Sequence, residues 1–558
     1  MVLRVPWLQS PAGNFFFKII VLFIFLDTGY LVYLNSFFGE ATTLIFLLLA
    51  FVMLLLLERG KVHPVFYIGL LVSLFVFSGS KTANFPSAVL LGMALIFYVL
   101  KNEDLPKKLV IGAAVLVMLW GAAGYVKNAP QWMQKVTTYH AVFFGVLKDH
   151  PEPEKAIKEL GLPEELLQLE STHGYLRHPY DIYGDDFAAL FFDHVGKGAV
   201  LRYYLTHPGY FLKKLDKSAE AALPLRPTYL SNTSTTGDLV FTGKLNVWET
   251  ARKRLSGKAL FMISGILLLS LLNLLSLWRK RADGYRVMLR LALVGCAAGQ
   301  FIVPVIGNGE ADLIKHMFLF NIHLDLLLVM LLYDHVEAMI RHYKITAAFA
   351  AAATFFLFLL PVWRQPEIIT FGLRDNRPIE WYVLEEKDGW IKLIAKDILF
   401  HSIFDESSNS LPQAAVAKKL AQKMDTWFSP EEQDVIKKTS FPLILNYAEI
   451  DGATAGDRPH YWFSCLKYAN ENSGRAYQRE YVASVTLPSV ADLEQLRLLS
   501  PRAAVLQESY WLRTPYYSSL NLVRVVAPDY QVYHRLVTTE LGVRPVLWVR
   551  RSYAEDNS

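Results

Sequence analysis

The sequence predicts a polytopic α-helical membrane protein of about nine spans that ends in an extracytoplasmic α+β domain. Three observations carry that expectation. Long apolar stretches recur at 15–34, 42–57, 64–79, 86–100, 109–126, 259–278, 287–306, 312–333 and 345–362. Most approach the ~20 residues that a helix needs to cross ~30 Å of hydrocarbon. The short connections alternate in charge: Arg59 and Lys61, then Lys101, Lys107 and Lys108, then Arg279, Lys280, Arg281 and Arg286, then Arg341 and Lys344 lie on one side. The other side holds little beyond Lys81 and Lys315. Hydrophobicity then drops sharply after Trp363.

Taken in order, residues 1–126 form a first membrane block of five spans and 127–258 a loop domain. Residues 259–362 form a second block of four spans, and 363–558 a water-soluble tail. The positive-inside bias places the N-terminus in the cytoplasm and both soluble parts outside. The first apolar stretch is too long for a signal-peptide core and lacks a small-x-small exit, so it reads as a retained span. The chain has 558 residues, 53% hydrophobic and 13% aromatic, with a net charge of +5. Most of that charge sits in the basic short loops, and no basic stripe interleaved with aromatics marks a nucleic-acid surface, so no nucleic-acid partner is expected. The two cysteines, Cys296 in the seventh span and Cys465 in the tail, are not expected to pair. An outer domain without disulfides suits a bacterial plasma membrane.

Within the loop, 132–147 and 153–160 read as amphipathic helices, and the run Arg252-Lys-Arg254 breaks the charge rule locally. In the tail, two β-rich runs about Asp388-Gly389 predict a hairpin. A helix is expected near 412–426, with strands over 510–515 and 541–549.

Ionisable groups inside spans cost about 2.5–3.5 kcal/mol at mid-helix, so each raises a functional question. Asp27 lies within the first stretch, and Glu40 closes its end. Either could instead be a polar contact or a solvated loop residue. The densest constellation runs from Gly307 to Asp325. A Gly-Asn-Gly turn leads into the eighth span, and at ~100° per residue Asp312, His316 and His323 fall on one stripe with Lys315 beside it. The helix start with Lys315 and His316 suits an anionic headgroup such as a phosphate. Glu310 and Asp312 point instead to acid–base work or a metal-bridged phosphate; an acid-capped helix start at the interface is the plain alternative. Asp325 is expected to make a structural polar contact. No cofactor is required, although the acidic residues leave room for a divalent metal ion. His140, His150, His173, His178 and His194 show no metal-ligand spacing. Arg226, Tyr229 and Asn232, together with His140, are candidates to contact an acceptor sugar.

Several segments resemble WsfD-type bacterial membrane hexosyltransferases of cell-surface glycan synthesis, over about 20–340. They are Asp27-Thr-Gly-Tyr, Asn35-Ser-Phe-Phe-Gly-Glu, Ser80-Lys-Thr-Ala-Asn, Tyr139-His-Ala-Val-Phe-Phe-Gly-Val-Leu-Lys-Asp, Tyr204-Leu-Thr-His-Pro and Gly309-Glu-Ala-Asp-Leu-Ile-Lys-His-Met-Phe-Leu-Phe-Asn. That resemblance implies a GT-C-like membrane fold, a polyprenyl-phosphate sugar donor and a glycan acceptor. A carboxylate (Glu40, Glu310 or Asp312) would activate the acceptor, and Lys315, His316 and His323 would hold the donor phosphate. Members of that group open with a further span and an acidic Asn-Gly-Asp-Phe loop. This sequence opens Met1-Val-Leu-Arg-Val-Pro without them, so if that loop carries the general base, an inactive, split or truncated copy is expected. A non-catalytic membrane scaffold presenting the tail is the alternative. The tail resembles a bacterial domain of unassigned function with C-type-lectin-like character, through 378–384, Trp511-Leu-Arg-Thr-Pro and Gly542-Val-Arg-Pro-Val-Leu-Trp. Carbohydrate binding is the association this implies. Arg513 and Arg544 are expected to be buried arginines bonding loop carbonyls.

Overall fold

The computed structural model describes residues 11–341 and 367–556, apart from 61, 149, 171, 173, 175–179, 228–229, 231–245, 256–257, 450–477, 500–502, 504–505, 517–518 and 527–531. Among the described residues, six helices are long and apolar enough to cross a membrane: Gly39–Leu56, Thr82–Asn102, Leu105–Lys127, Ala259–Arg279, Gly284–Asn308 and Phe318–His335. A helix satisfies all its interior backbone groups, so such segments can pass through hydrocarbon. A seventh candidate is broken: Phe17–Phe25 and Thr28–Asn35 meet at 48°. Pro64–Ser80 is apolar but shorter, and 345–362 lies outside the described residues. Among the described residues the count is thus six, or seven with the bent pair counted once, and the expected nine are not confirmed.

The spans share one apolar core through residues such as Leu47, Leu54, Leu70, Phe77, Leu91, Leu293 and Phe320. At the end of the bundle where Gly39–Leu56 finishes and Gly284–Asn308 begins, charges are paired rather than solvated. Arg290 bonds Glu58 and lies 3.0 Å from Asp334. Arg286 reaches the same Asp334 at 2.5 Å, and Asn273 donates to it at 2.9 Å. Lys101 and Asp283 pair nearby at 2.8 Å. Part of the basic surplus counted in the sequence is thus spent on helix-to-helix contacts.

The loop domain has its own apolar core. Gln131–Ala141 runs into a π-helical turn, Val142–Val146, and Pro153–Glu159 is helical as expected. Lys197–Thr206 and Pro208–Ala222 follow, then Val247–Lys253.

The tail is richer in strands than expected. Its strands are β1 (Ile368–Arg374), β2 (Arg377–Lys387), β3 (Trp390–Ala395), β4 (Phe400–Ser402), β5 (Thr439–Ile444), β6 (Gln478–Ala483), β7 (Val485–Thr486), β8 (Tyr510–Pro515), β9 (Leu522–Val526), β10 (Val532–Leu536), β11 (Leu541–Val543) and β12 (Val546–Arg550). They form two five-stranded sheets, β1-β2-β3-β12-β7 and β10-β9-β8-β11-β4, and a separate β5-β6 pair. The hairpin about Asp388-Gly389 is present, both residues having positive φ as a two-residue turn demands. Asp375-Asn376 makes a second such turn between β1 and β2. The last strand of the domain, β12, lies against β3 near its start. Helix Ala415–Trp427 buries Val416, Leu420 and Met424 against a core that contains Trp381 and Trp511.

Both arginines are buried as expected. Arg513 donates to the Leu487 carbonyl and to Asp492. Arg544 donates to the carbonyls of Ala395 and Ala503 and to the Tyr510 hydroxyl. A lysine keeps the charge of Arg544 but not its planar fork, so carbonyls are left unbonded. Arg544→Lys is expected to cost about 2 kcal/mol, or roughly a 30-fold faster cleavage of the tail in native limited proteolysis.

Candidate functional site

The end of the bundle opposite the Arg290–Asp334 pairs gathers the residues singled out in the sequence. The helix Gly39–Leu56 starts there, and its first turn carries Glu40. Gly39 is pressed so close to the next connection that a Cβ on it would stand 2.5 Å from the Ser80 carbonyl oxygen. This contact sets the Lys81 ammonium 2.5 Å from the buried Glu40 carboxylate. Asn84 holds the connection in shape, donating to Thr43 Oγ1, to the Phe77 carbonyl and to Ser80 Oγ. The Ser80-Lys-Thr-Ala-Asn segment is therefore a scaffold that delivers Lys81.

The second wall is the turn after Gly284–Asn308. Gly307 and Asn308 belong to that helix rather than to a turn, and the chain reverses at Gly309, whose φ is +59°. A side chain at 309 would stand 2.6 Å from the His140 carbonyl oxygen and 2.7 Å from the Gly145 Cα. The π-helical turn can approach only a glycine. Glu310 continues the contact, donating its N–H to the Phe144 carbonyl. Its carboxylate receives Lys148 at 2.7 Å, Lys214 at 2.6 Å and Lys217 at 3.4 Å. Burial pushes this carboxyl up, but the three ammoniums overcome burial and hold it at about 2. Burial also pulls the Lys214 ammonium down to about 8, against the attraction of Glu310. At neutral pH the Glu310 carboxyl is ionised.

Asp312 follows with φ +47°, ψ +39°. A non-glycine residue in that region is strained by about 1–3 kcal/mol, and such strain gathers at working sites. Asp312 is partly exposed, and Lys315 Nζ lies 3.9 Å from its carboxylate. The same Nζ stands 3.7 Å from the centre of the Phe38 ring. His316 is partly buried. Burial first, then the charges of Lys81 and Lys315, hold its imidazole well below the usual histidine range. It is a neutral donor or acceptor among cations.

The family model of the YfdI N-terminal transmembrane domain matches residues 4–349. The chain belongs to that family. Residues 392–551 match DUF6273, a domain of unknown function, which takes in β3 to β12 of the tail. No curated protein and no solved structure matches the chain. The protein is thus a multi-pass membrane protein with a YfdI-type membrane domain and a β-rich C-terminal domain.

Other candidates sit elsewhere in the YfdI-type domain. The single stripe expected from Asp312 to His323 is interrupted, because Leu313–His316 and Phe318–Arg341 are separate helices. His323 is fully buried in the second, with Nδ1 2.7 Å from the Leu319 carbonyl oxygen. His140 is also buried. Its Nε2 accepts from the Gly174 N–H, so Nδ1 carries the proton and donates to Asn308 Oδ1. Arg226 lies 3.6 Å from Glu249 in the interior. Tyr229 and Asn232 lie outside the described residues. Among the described residues no group of three His, Cys, Asp or Glu could hold a metal ion.

Sequence reasoning missed one feature. Lys148 and Lys214 were not singled out, although Lys214 shares a helix face with Ser218, Ala221 and Ala222, which are buried. A lysine on a buried face signals a buried counter-charge. Asp27 and Asp325 anchor a second polar centre. Asp27 accepts from Gly29 N on one oxygen and from Trp248 N and Glu249 N on the other, so it caps two helix starts at the bend of the first span. Asp325 accepts from Tyr30 OH at 2.6 Å, Trp248 Nε1 at 3.0 Å and Arg252 at 2.7 Å. The basic run in the loop thus contains one buried arginine.

Proposed function

We propose that the chain is an integral membrane glycosyltransferase, moving a hexose from a polyprenyl-phosphate carrier to a cell-surface or cell-wall glycan. The observation that carries the reading is the strained, partly exposed Asp312 beside Lys315, with Lys81 and the neutral His316 close by. Asp312 takes the proton from an acceptor hydroxyl as its oxygen attacks the anomeric carbon. The bond from that carbon to the phosphate oxygen breaks, and the oxygen keeps the electron pair. Lys315 and Lys81 meet the developing charge, and His316 donates a hydrogen bond. Glu310, clamped by three lysines, is a poor base and acts as the keystone of the loop domain. Glu40 holds Lys81.

The orientation rests on the basic connections at the other end of the bundle, around Lys101, Lys107 and Arg279. On this reading that end lies in the cytoplasm of a bacterial cell and the site outside. The tail then binds glycan or positions partners. A second reading, a non-catalytic membrane scaffold presenting the tail, is favoured by the pairing of Glu40 and Glu310 with lysines.

The two readings separate on one experiment. Transfer of labelled hexose from polyprenyl phosphate is measured in membranes containing Asp312→Asn or Lys315→Gln protein at equal abundance. Asp312→Asn is expected to lower the rate by about 10²–10⁴-fold. Unchanged transfer in both variants removes this site from the mechanism.

A further inference from the structure

The connection between the bent first span and Gly39–Leu56 carries an apolar tip. Phe37 is fully exposed, and Leu34 and Phe38 beside it are exposed to 46% and 38%. Turns of this length ordinarily use Gly, Asn, Asp or Ser. The tip is firmly held at its base, where Ser36 Oγ donates to the Tyr33 carbonyl at 2.7 Å and Gly39 abuts Ser80 and Lys81. It also adjoins the amines of the site. Lys315 lies over the Phe38 ring, and Lys81 pairs with Glu40 two residues beyond. An aromatic face attracts an ammonium, so Phe38 steers Lys315 as well as walling it.

We infer that Phe37 and Phe38 seat the hydrocarbon chain of an amphiphile whose anionic head is held by Lys315 and Lys81. The inference rests on the anion-binding reading above and adds the side from which the ligand's tail arrives. Charge complementarity fixes the head as an anion of phosphate type. The Phe38 ring under the Lys315 amine, with the exposed Phe37 next to it in the chain, favours a lipid phosphate over a water-soluble one, because only the lipid gains by covering an apolar side chain.

The test uses the full-length protein in detergent with two probes, geranyl phosphate and inorganic phosphate, followed by calorimetric binding. Phe37→Ser is expected to weaken geranyl phosphate about tenfold or more while leaving inorganic phosphate unchanged. Phe37→Leu, which keeps an apolar side chain, should bind nearly as wild type and guards against a folding artefact. Lys315→Gln should weaken both probes. If Phe37→Ser weakens both probes equally, or neither, the tail seat is overturned while the anion site stands. If neither probe binds the wild-type protein, or Lys315→Gln changes neither, the anion site fails and the seat with it.

Discussion

Replacing Glu310 by Gln should destabilise the membrane domain by about 3–5 kcal/mol, because it leaves buried ammoniums without their counter-charge. Lys214 is almost wholly buried and Lys148 nearly so, and both lean on this one carboxylate. Lys217, more exposed, loses little. The measurement is the temperature at which half of the detergent-solubilised protein loses its monodisperse peak. The pH dependence has a definite sign. The carboxyl is held at about 2 in the folded state, below its ordinary range. Its contribution is therefore complete above that ordinary range and is lost as the pH falls toward about 2. The Gln variant should lack this part of the acid-induced loss. A variant as stable as wild type, with an unchanged acid limb, would show that the three lysines do not depend on Glu310.

Asp325→Asn should have a comparable effect deeper in the bundle. The Arg252 guanidinium is nearly fully buried, and besides Asp325 it bonds the Ala222 carbonyl and Asn321 Oδ1. An Asn still accepts hydrogen bonds but removes the negative charge, and a lone buried cation costs about 3–5 kcal/mol. Removing both charges with the pair Arg252→Met and Asp325→Leu should cost clearly less than the sum of the single changes. The coupling is read as the difference in a double-mutant cycle of thermal stability. Strict additivity would mean that the two groups do not interact.

Much of the membrane domain was legible, because runs of apolar residues announce spans whatever their neighbours are. The bend in the first span was not, since the run 15–34 is apolar on both sides of it. Its signal was Asp27-Thr-Gly, an N-cap residue followed by a helix start inside the run. The acidic–basic turn at 310–316 was legible as a cluster, but not which carboxylate is clamped. Glu310 finds its partners at sequence separations of 162 and 96 residues, which no local pattern reports. Asp325 was read as a structural contact, and its bonds to Tyr30, Trp248 and Arg252 are of that kind. In the tail, the Asp388-Gly389 turn revealed one hairpin by its chemistry. The parallel contact of β11 with β8 and the return of β12 to β3 depend on distant pairing and left no such mark.

Asp27 joins the helix start beside it to another it reaches through Trp248, 221 residues further along the chain. At a synthesis rate of roughly 5–20 residues per second, the carboxylate emerges roughly ten to forty seconds before Trp248 exists to bond it. During that interval the nascent first segment must sit in the bilayer with one acidic oxygen waiting, held by water or lipid headgroups. The final bent shape is then a late event of biogenesis, completed only when the loop domain folds back and locks it.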